Sequence, residues 1–300
     1  MRSDSIYGHL RPMLRREFDE LIGWAAAEGW NPGLHDAECF WTADPDGFVA
    51  VQIDGALAAG GSIVSYGRRY GFMGFFIVRP DLRGRGIGRR LWHERKRLLL
   101  GRLDAGAPIG MDGVFAMEPF YARGGFVREH RELRFEAAAS RSRASGAHKG
   151  AGSSDHGATI VPIGQASIDD AIAYDAPHFP GPRASFMRRW LSQPGALPLV
   201  ALSGGAISGL AMARPARTGM RIGPLFADSP GIAESLLARI LDECAGVPVH
   251  LDVPERNAAA MALAARYGMR EVFGCAKMTL GTPPSLPWSR IFGVTSFELG

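Results

Sequence analysis

The sequence predicts a mixed α/β protein of two tandem domains, each a twisted, mainly antiparallel mixed sheet flanked by helices. Three observations carry this. The chain has 300 residues, more than the ~100–200 usual for one domain, and it is 46% hydrophobic against 21% charged, enough for two cores. Residues 137–157 read AAASRSRASGAHKGAGSSDHG, small and polar residues that bury no core, so a flexible linker is expected between domains at 1–136 and 158–300. Finally, the order of strand-like and helix-like segments repeats on either side of that linker.

In the first half, apolar spacing over residues 14–28 predicts a helix. GFVAVQID, ALAAGGSIVSY and YGFMGFFIV, each ended by turn residues, predict three hairpin-connected strands. RRLWHERKRLLLGRL sets Leu91, Arg95, Leu98 and Leu99 on one face of a helix. PIGMDGVFA then reads as a strand, EPFYARGG as a short helix and FVREHRELRFE as the closing strand. The second half repeats the order: strands LPLVALSG, AISGLAMARPA and MRIGPLFAD, helix GIAESLLARILDECA, strand VPVHLDVP, helix RNAAAMALAARYG and strand MREVFGCAKMTL. The exit segment SRIFGVTSFELG is rich in β-branched and aromatic residues, which predicts an ordered, docked tail.

Composition narrows the function classes. No apolar run approaches the ~18 residues of a membrane span, and residues 1–15 show neither an apolar core nor a small-residue cleavage site, so the cytoplasm is the expected address. Cys39, Cys244 and Cys275 form no close pair and are expected as reduced, buried thiols. The histidines lack HExxH spacing, and His35 with Cys39 would give only two ligands, so no metal is expected. A net charge of +4 suits phosphorylated cofactors as well as nucleic acid; because the arginines concentrate around one loop, nucleic acid ranks last as a partner. Nothing in the sequence sets an oligomeric state.

That loop is the most informative segment. In FFIVRPDLRGRGIGRRLW an apolar strand runs through Pro80 into Arg83, Gly84, Arg85, Gly86, Ile87 and Gly88, then directly into a helix opening with Arg89 and Arg90. Glycines let the backbone approach a ligand, and the unpaired N–H groups of a helix start attract a pyrophosphate. A Rossmann GxGxxG beginning at Gly84 would need glycine where Arg89 stands, and no GxxxxGK[ST] is present. The segment resembles the acyl-CoA motif R/Q-x-x-G-x-G/A of the GNAT acetyltransferase superfamily, matched by Arg83, Gly86 and Gly88. The family's tyrosine four residues before a Gly-Phe pair is matched by Tyr121 ahead of Gly125 and Phe126. The resemblance extends over most of the chain, with Asn257 opening the last helix of the second half. There, however, Ala264 stands where Tyr121 stands in the first half, and GPLFADSPGIAE replaces the glycine-arginine loop. The segments EGWNPGLHDAECF and IFGVTSFELG are similar to those of bacterial tandem GNAT proteins of undefined substrate.

The resemblance implies transfer of an acetyl group from acetyl-CoA to a primary amine on a small molecule or peptide; because only the first half carries the glycine-arginine loop and the tyrosine, one cofactor per chain is expected, bound there. It assigns cofactor contacts to the backbone of Phe76, Ile77 and Val78 and to the loop residues Arg83 to Arg89. Tyr121 becomes the general acid, against the alternative of a locally bonded buried tyrosine. The base is open between Asp112, Glu118, a water relay and no base at all. Trp30, Asn31, His35 and Asp36 are candidates for the acceptor site, although a turn around Pro32 and Gly33 explains them equally well. The cleft between the halves is expected to complete the acceptor pocket. A non-catalytic acyl-CoA sensor is the alternative function.

Overall fold

A computed structural model describes residues 8–138 and 157–300, so most of the expected linker, residues 139–156, lies outside the described residues. The first half runs β1 (His9–Pro12), α1 (Arg15–Ala27), α2 (Asp36–Ala43), β2 (Phe48–Ile53), β3 (Ala56–Ser62), β4 (Val64–Tyr66), β5 (Tyr70–Phe72), β6 (Ile77–Val78), α3 (Ile87–Arg102), β7 (Ile109–Val114), α4 (Glu118–Arg123) and β8 (Val127–Ala137). The second runs β9 (Thr159–Pro162), α5 (Ile168–Asp175), α6 (Ala184–Trp190), β10 (Leu197–Ser203), β11 (Ala206–Pro215), β12 (Met220–Ala227), α7 (Pro230–Glu243), β13 (Val249–Pro254), α8 (Ala258–Arg266), β14 (Arg270–Leu280) and β15 (Ile291–Gly293).

Helix α1 forms because Phe18, Leu21, Ile22 and Ala25 recur at helical spacing and all face the core, while the Glu17 carboxylate accepts the Leu14 N–H at 2.8 Å and satisfies an end donor. Helix α3 buries Ile87, Leu91, Trp92, Arg95 and Leu99 in the same way. Two of the three strands expected from the first half are broken. Ile63 separates β3 from β4, and residues 73–76 separate β5 from β6. The breaks divide the strands between two sheets: β1-β2-β3-β6 in one, and β4 and β5 in a sheet of eleven described strands that continues through the whole second half.

That larger sheet runs β4-β5-β7-β14-β8-β13-β12-β11-β10-β9, with β15 on β12. The halves have therefore interleaved β8 and β14. From the sequence β8 closes the first half; instead β14 lies between β7 and β8, pairing Cys275 with Val114 on one side and Glu132 on the other, and β8 continues to β13 through Phe135 and Leu251. The interleaving leaves no bare ladder edge where the halves meet.

Side chains lock the same junction. Asp36 and Arg214, both fully buried, meet through two hydrogen bonds of 2.8 and 3.2 Å. Phe40 of α2 stacks on Trp190 of α6 with ring centroids 5.6 Å apart. The tail is ordered and docked as expected. After β15 it crosses back to the first half, where the Tyr66 hydroxyl donates to the Leu299 carbonyl at 3.0 Å. The three cysteines are buried and unpaired.

Candidate active site

The break in the third strand makes the site. Strand β5 runs parallel to β7 for two residue pairs, and Met73 N–H to Gly110 O at 3.0 Å is their last bond. Strand β6 then turns away to β3, so its backbone has no partner on the β7 side. Phe75 holds the bend at a φ of 52°, in the left-handed region costly to a bulky residue. Arg95 clamps it: Nη2 donates to Ser62 O at 2.6 Å and Gly74 O at 2.7 Å. Burial lowers this guanidinium to about 9, which leaves it cationic at neutral pH.

A cavity of about 1030 Å³ occupies the gap. One end is the glycine loop. Gly84 and Gly86 have φ of 77° and 83°, and the first helical bond of α3 is Arg90 N–H to Gly86 O at 3.2 Å, so the amides immediately before it have no intrahelical partner. A Cβ on Gly84 would meet nothing within 4 Å, whereas one on Gly88 would lie 3.3 Å from Val78 Cγ2. Gly84 is therefore the open position of the cradle, Gly86 lines the cavity beside it, and Gly88 is small so that α3 can pack against β6. Phe76, Ile77, Val78, Arg83, Gly84, Gly86, Gly88 and Arg89 all line the cavity.

Two of the expected cofactor residues do not line it. The Ile87 side chain is buried core, and exposed Arg85 reaches back to the Asp81 carbonyl at 3.0 Å. Arg83 is engaged by Glu28 and by the Val78 carbonyl, so it braces the loop. His93, one turn beyond Arg89 on the same helix face, lines the cavity and was missed; the i, i+4 spacing was the available signal.

Tyr121 and Asp112 flank the gap. The Tyr121 ring lies on Gly113, where a Cβ would sit 2.5 Å from Cε2, and burial pushes its hydroxyl up to about 12, keeping it protonated. Asp112 precedes Gly113 on β7 and so faces the opposite side of the sheet. The residue touches the cavity, but its carboxyl is only 1% exposed, with Oδ1 buried without a hydrogen-bond partner and Lys277 Nζ of β14 at 3.4 Å. Burial pushes its carboxyl up to about 8, against the pull of Lys277. Glu118, the other base candidate, is outside the cavity wall: it opens α4, where a carboxylate suits the helix dipole, and pairs with Arg128 at 3.3 Å.

Of the four acceptor candidates only Trp30 lines the cavity. Asn31 exchanges two hydrogen bonds with the Thr218 backbone, at 2.8 and 3.0 Å, and Asp36 is closed off by Arg214 and the Gly33 N–H. His35 caps α2 away from the wall. The connection is thus largely a clamp between the halves. Beside His93, missed wall residues come from β8, β14 and the tail, among them Arg134, Phe273, Cys275, Phe297 and Glu298. Among the described residues no group of three His, Cys, Asp or Glu is placed to hold a metal, and no helix is long and apolar enough to cross a membrane.

A cradle at a helix start, a strand bent away from its neighbour and a tyrosine beside the bend define an acyltransferase of the GNAT class. Family comparison agrees: residues 10–126 match the acetyltransferase (GNAT) family and residues 171–293 an acetyltransferase (GNAT) domain, so the chain belongs to the GNAT superfamily as two domains in tandem. It is similar to holothin acyltransferase of Pseudoalteromonas sp., 29% identical over 291 residues, spanning 97% of this chain and 94% of that protein. Among solved structures it is similar to a putative acetyltransferase from Pyrococcus horikoshii (TM-score 0.78, 20% identity, 97% of this chain and 95% of that one). It is also similar to a tandem GNAT protein from the clavulanic acid biosynthesis pathway (TM-score 0.65, 17% identity, 92% and 99%).

Proposed function

We propose that the chain moves an acetyl group from acetyl-CoA to the nitrogen of a small primary amine, by direct attack while both are bound in the first half's cavity. The observation that carries this is the continuity of one cavity from the glycine loop, past the unpaired backbone of β6, to the wall at Tyr121, with the buried Asp112 carboxyl behind the opposite face of β7. The cavity-lining backbone at Gly84 and Gly86 would suit a pyrophosphate, with Arg89 adding positive charge. Bound there, acetyl-CoA supplies an activated thioester. The backbone of Phe76, Ile77 and Val78 would hold the pantetheine arm and orient the carbonyl.

The chemistry needs a lone pair on nitrogen, a C–N bond made and a C–S bond broken. Asp112 takes the proton that the nitrogen loses, and Tyr121 gives one to the sulfur as it leaves; exchange with solvent restores both groups. The raised Asp112 carboxyl holds its proton below about pH 8, so the base acts above that value. Cys275 also lines the cavity, but burial pushes its thiol well up, which withholds the thiolate that a covalent acyl-enzyme would require. Its inertness supports direct attack. Initial rates measured against both substrates test the reading: intersecting double-reciprocal lines are expected. Parallel lines would replace direct attack with an acyl-enzyme route.

A further inference from the structure

Five arginines are buried among the described residues: Arg95, Arg134, Arg183, Arg214 and Arg221. Four of them meet a carboxylate. Arg134 and Arg221 hold Asp252, Arg183 holds Asp175 and Arg214 holds Asp36, with N···O distances of 2.6 to 2.8 Å. Arg95 has no such partner among the described residues. Its Nε and Nη2 donate to Ser62 O at 3.2 and 2.6 Å and Nη2 also to Gly74 O at 2.7 Å, while Nη1 is buried without an acceptor. Carbonyl oxygens satisfy N–H groups but leave the net charge standing, and a buried charge with no counter-charge is costly.

The fold makes room for this side chain: a Cβ on Gly61 of β3 would sit 2.5 Å from the Arg95 Cζ and Nε. Holding the bend calls only for donors, which an uncharged amide supplies, so the charge itself needs a second explanation. Tyr121 provides it. The guanidinium carbon is 5.3 Å from the ring centre of Phe76, and the Tyr121 ring packs on Phe76 and Trp92 with its centroid 6.5 and 4.9 Å from theirs. Between packed rings the effective dielectric is low, and a charge is felt further than in water. Burial dominates both groups, raising the Tyr121 hydroxyl and lowering Arg95, and each acts against that shift in the other.

We propose that Arg95 is a positioning residue for acyl transfer, whose uncompensated buried charge stabilises the negative charge that passes from the departing sulfur to the Tyr121 oxygen. This deepens the reading of Tyr121 as proton donor and rests on it. As the C–S bond breaks, its electron pair stays with sulfur. The Tyr121 O–H bond breaks in turn, its proton forms the S–H bond, and its electron pair stays on oxygen as a phenolate. That anion forms inside the protein, where a cation already fixed in place stabilises it without rearrangement. A proton from solvent then restores the phenol. Arg95 lines no part of the cavity and touches neither substrate, so it acts through Tyr121 alone.

The test is single-turnover CoA release by the full chain, with whichever of 2-aminonaphthalene, tryptamine, spermidine and glutamate reacts fastest, and calorimetric titration with acetyl-CoA. Arg95→Gln keeps donors for the bend, so acetyl-CoA affinity should stay within about threefold while the rate falls about tenfold or more. Arg95→Lys gives up the fork but keeps the charge, and should retain at least about a third of the rate. In the Tyr121→Phe background no phenolate forms, and adding Arg95→Gln should lower the rate by less than about twofold. An unchanged rate in Arg95→Gln, an equal loss in Arg95→Lys, or a loss that multiplies with that of Tyr121→Phe makes Arg95 a clamp only and overturns the proposal while the donor reading stands. Where Arg95→Gln does not fold, Arg95→Lys decides, and a fall of about tenfold in that folded variant overturns the proposal. An unchanged rate in Tyr121→Phe, or no CoA release with any amine from protein that binds acetyl-CoA, overturns the donor reading and the proposal together.

Discussion

Helices α3 and α7 hold equivalent places in the two halves, α3 after β6 and α7 after β12, yet only α3 begins with open backbone. Its start has Gly84 and Gly86 at positive φ and arginines around them. Helix α7 begins with Pro230, which has no N–H to offer, and Ser229 caps it by accepting the Ile232 N–H at 3.3 Å. Asp228 beside it is held by the Tyr174 hydroxyl and Arg290. The strands differ in the same sense. Strands β12 and β13 run parallel through Ile222 and Leu251 and then part, as β5 and β7 do, but here β15 occupies the space, bonding β12 at Leu225 and Phe226, while the next residue, Val294, donates to Asp252 O at 2.9 Å. Ala264, where Tyr121 stands in the first half, is buried core. One architecture is thus a slot when its gap is left open and a structural support when its own tail fills it.

The sharpest way to break this comparison is Gly86→Glu, which puts a Cβ at a φ of 83° and a negative charge into the cradle. Calorimetry should show about one acetyl-CoA per chain in the unaltered protein and none in the variant; residual tight binding would place a second site in the α7 half. Next in size, Tyr121→Phe should lower turnover roughly ten- to a thousandfold with acetyl-CoA affinity nearly intact, as the proposed role of the hydroxyl as proton donor to the leaving sulfur requires. An unchanged single-turnover rate would return Tyr121 to a packing role.

Asp112→Asn should have a smaller effect, roughly ten- to a hundredfold above pH 8. In the unaltered protein kcat/KM should rise with pH to a plateau above about 8, as the buried carboxyl loses its proton beside Lys277 and Glu132; the variant should lose that inflection. An identical profile in both would give proton removal to water. The smallest effect belongs to the other helix: Ser229→Ala removes a cap worth about 1 kcal/mol, so thermal unfolding should shift slightly while acetyl-CoA stoichiometry stays the same. Any loss of binding would mean that the α7 start takes part in it.

What could be read from the sequence was what neighbouring residues carry. The cradle is six consecutive positions, Tyr121 stands at a fixed distance from Gly125, and helix and strand order follows from periodicity. The strand interleaving was hidden, since the pairing of Cys275 with Val114 leaves no periodic trace in either segment. For the same reason Glu298 and Phe273 looked like ordinary tail and strand residues. Asn31 and Asp36 misled in the opposite direction: a short polar side chain near a turn has one appearance whether it meets a ligand or clamps a partner strand. Glu118 misled because a carboxylate at the first position of a helix is favourable without any substrate.

The interleaved strands also order events during synthesis. The cradle and Tyr121 emerge from the ribosome early, but β7 meets its neighbour β14 only after nearly all of the second half has been made. Until then β7 has a bare edge, and the cavity wall lacks Phe273, Phe297 and Glu298. Contacts so distant in sequence form slowly, and an exposed strand edge invites wrong pairing in the interval. Chains arrested before β14 should therefore be cut readily by protease across β7 and β8, and the full chain should resist. The cavity of the first half is, in this sense, completed by one of the last strands to arrive.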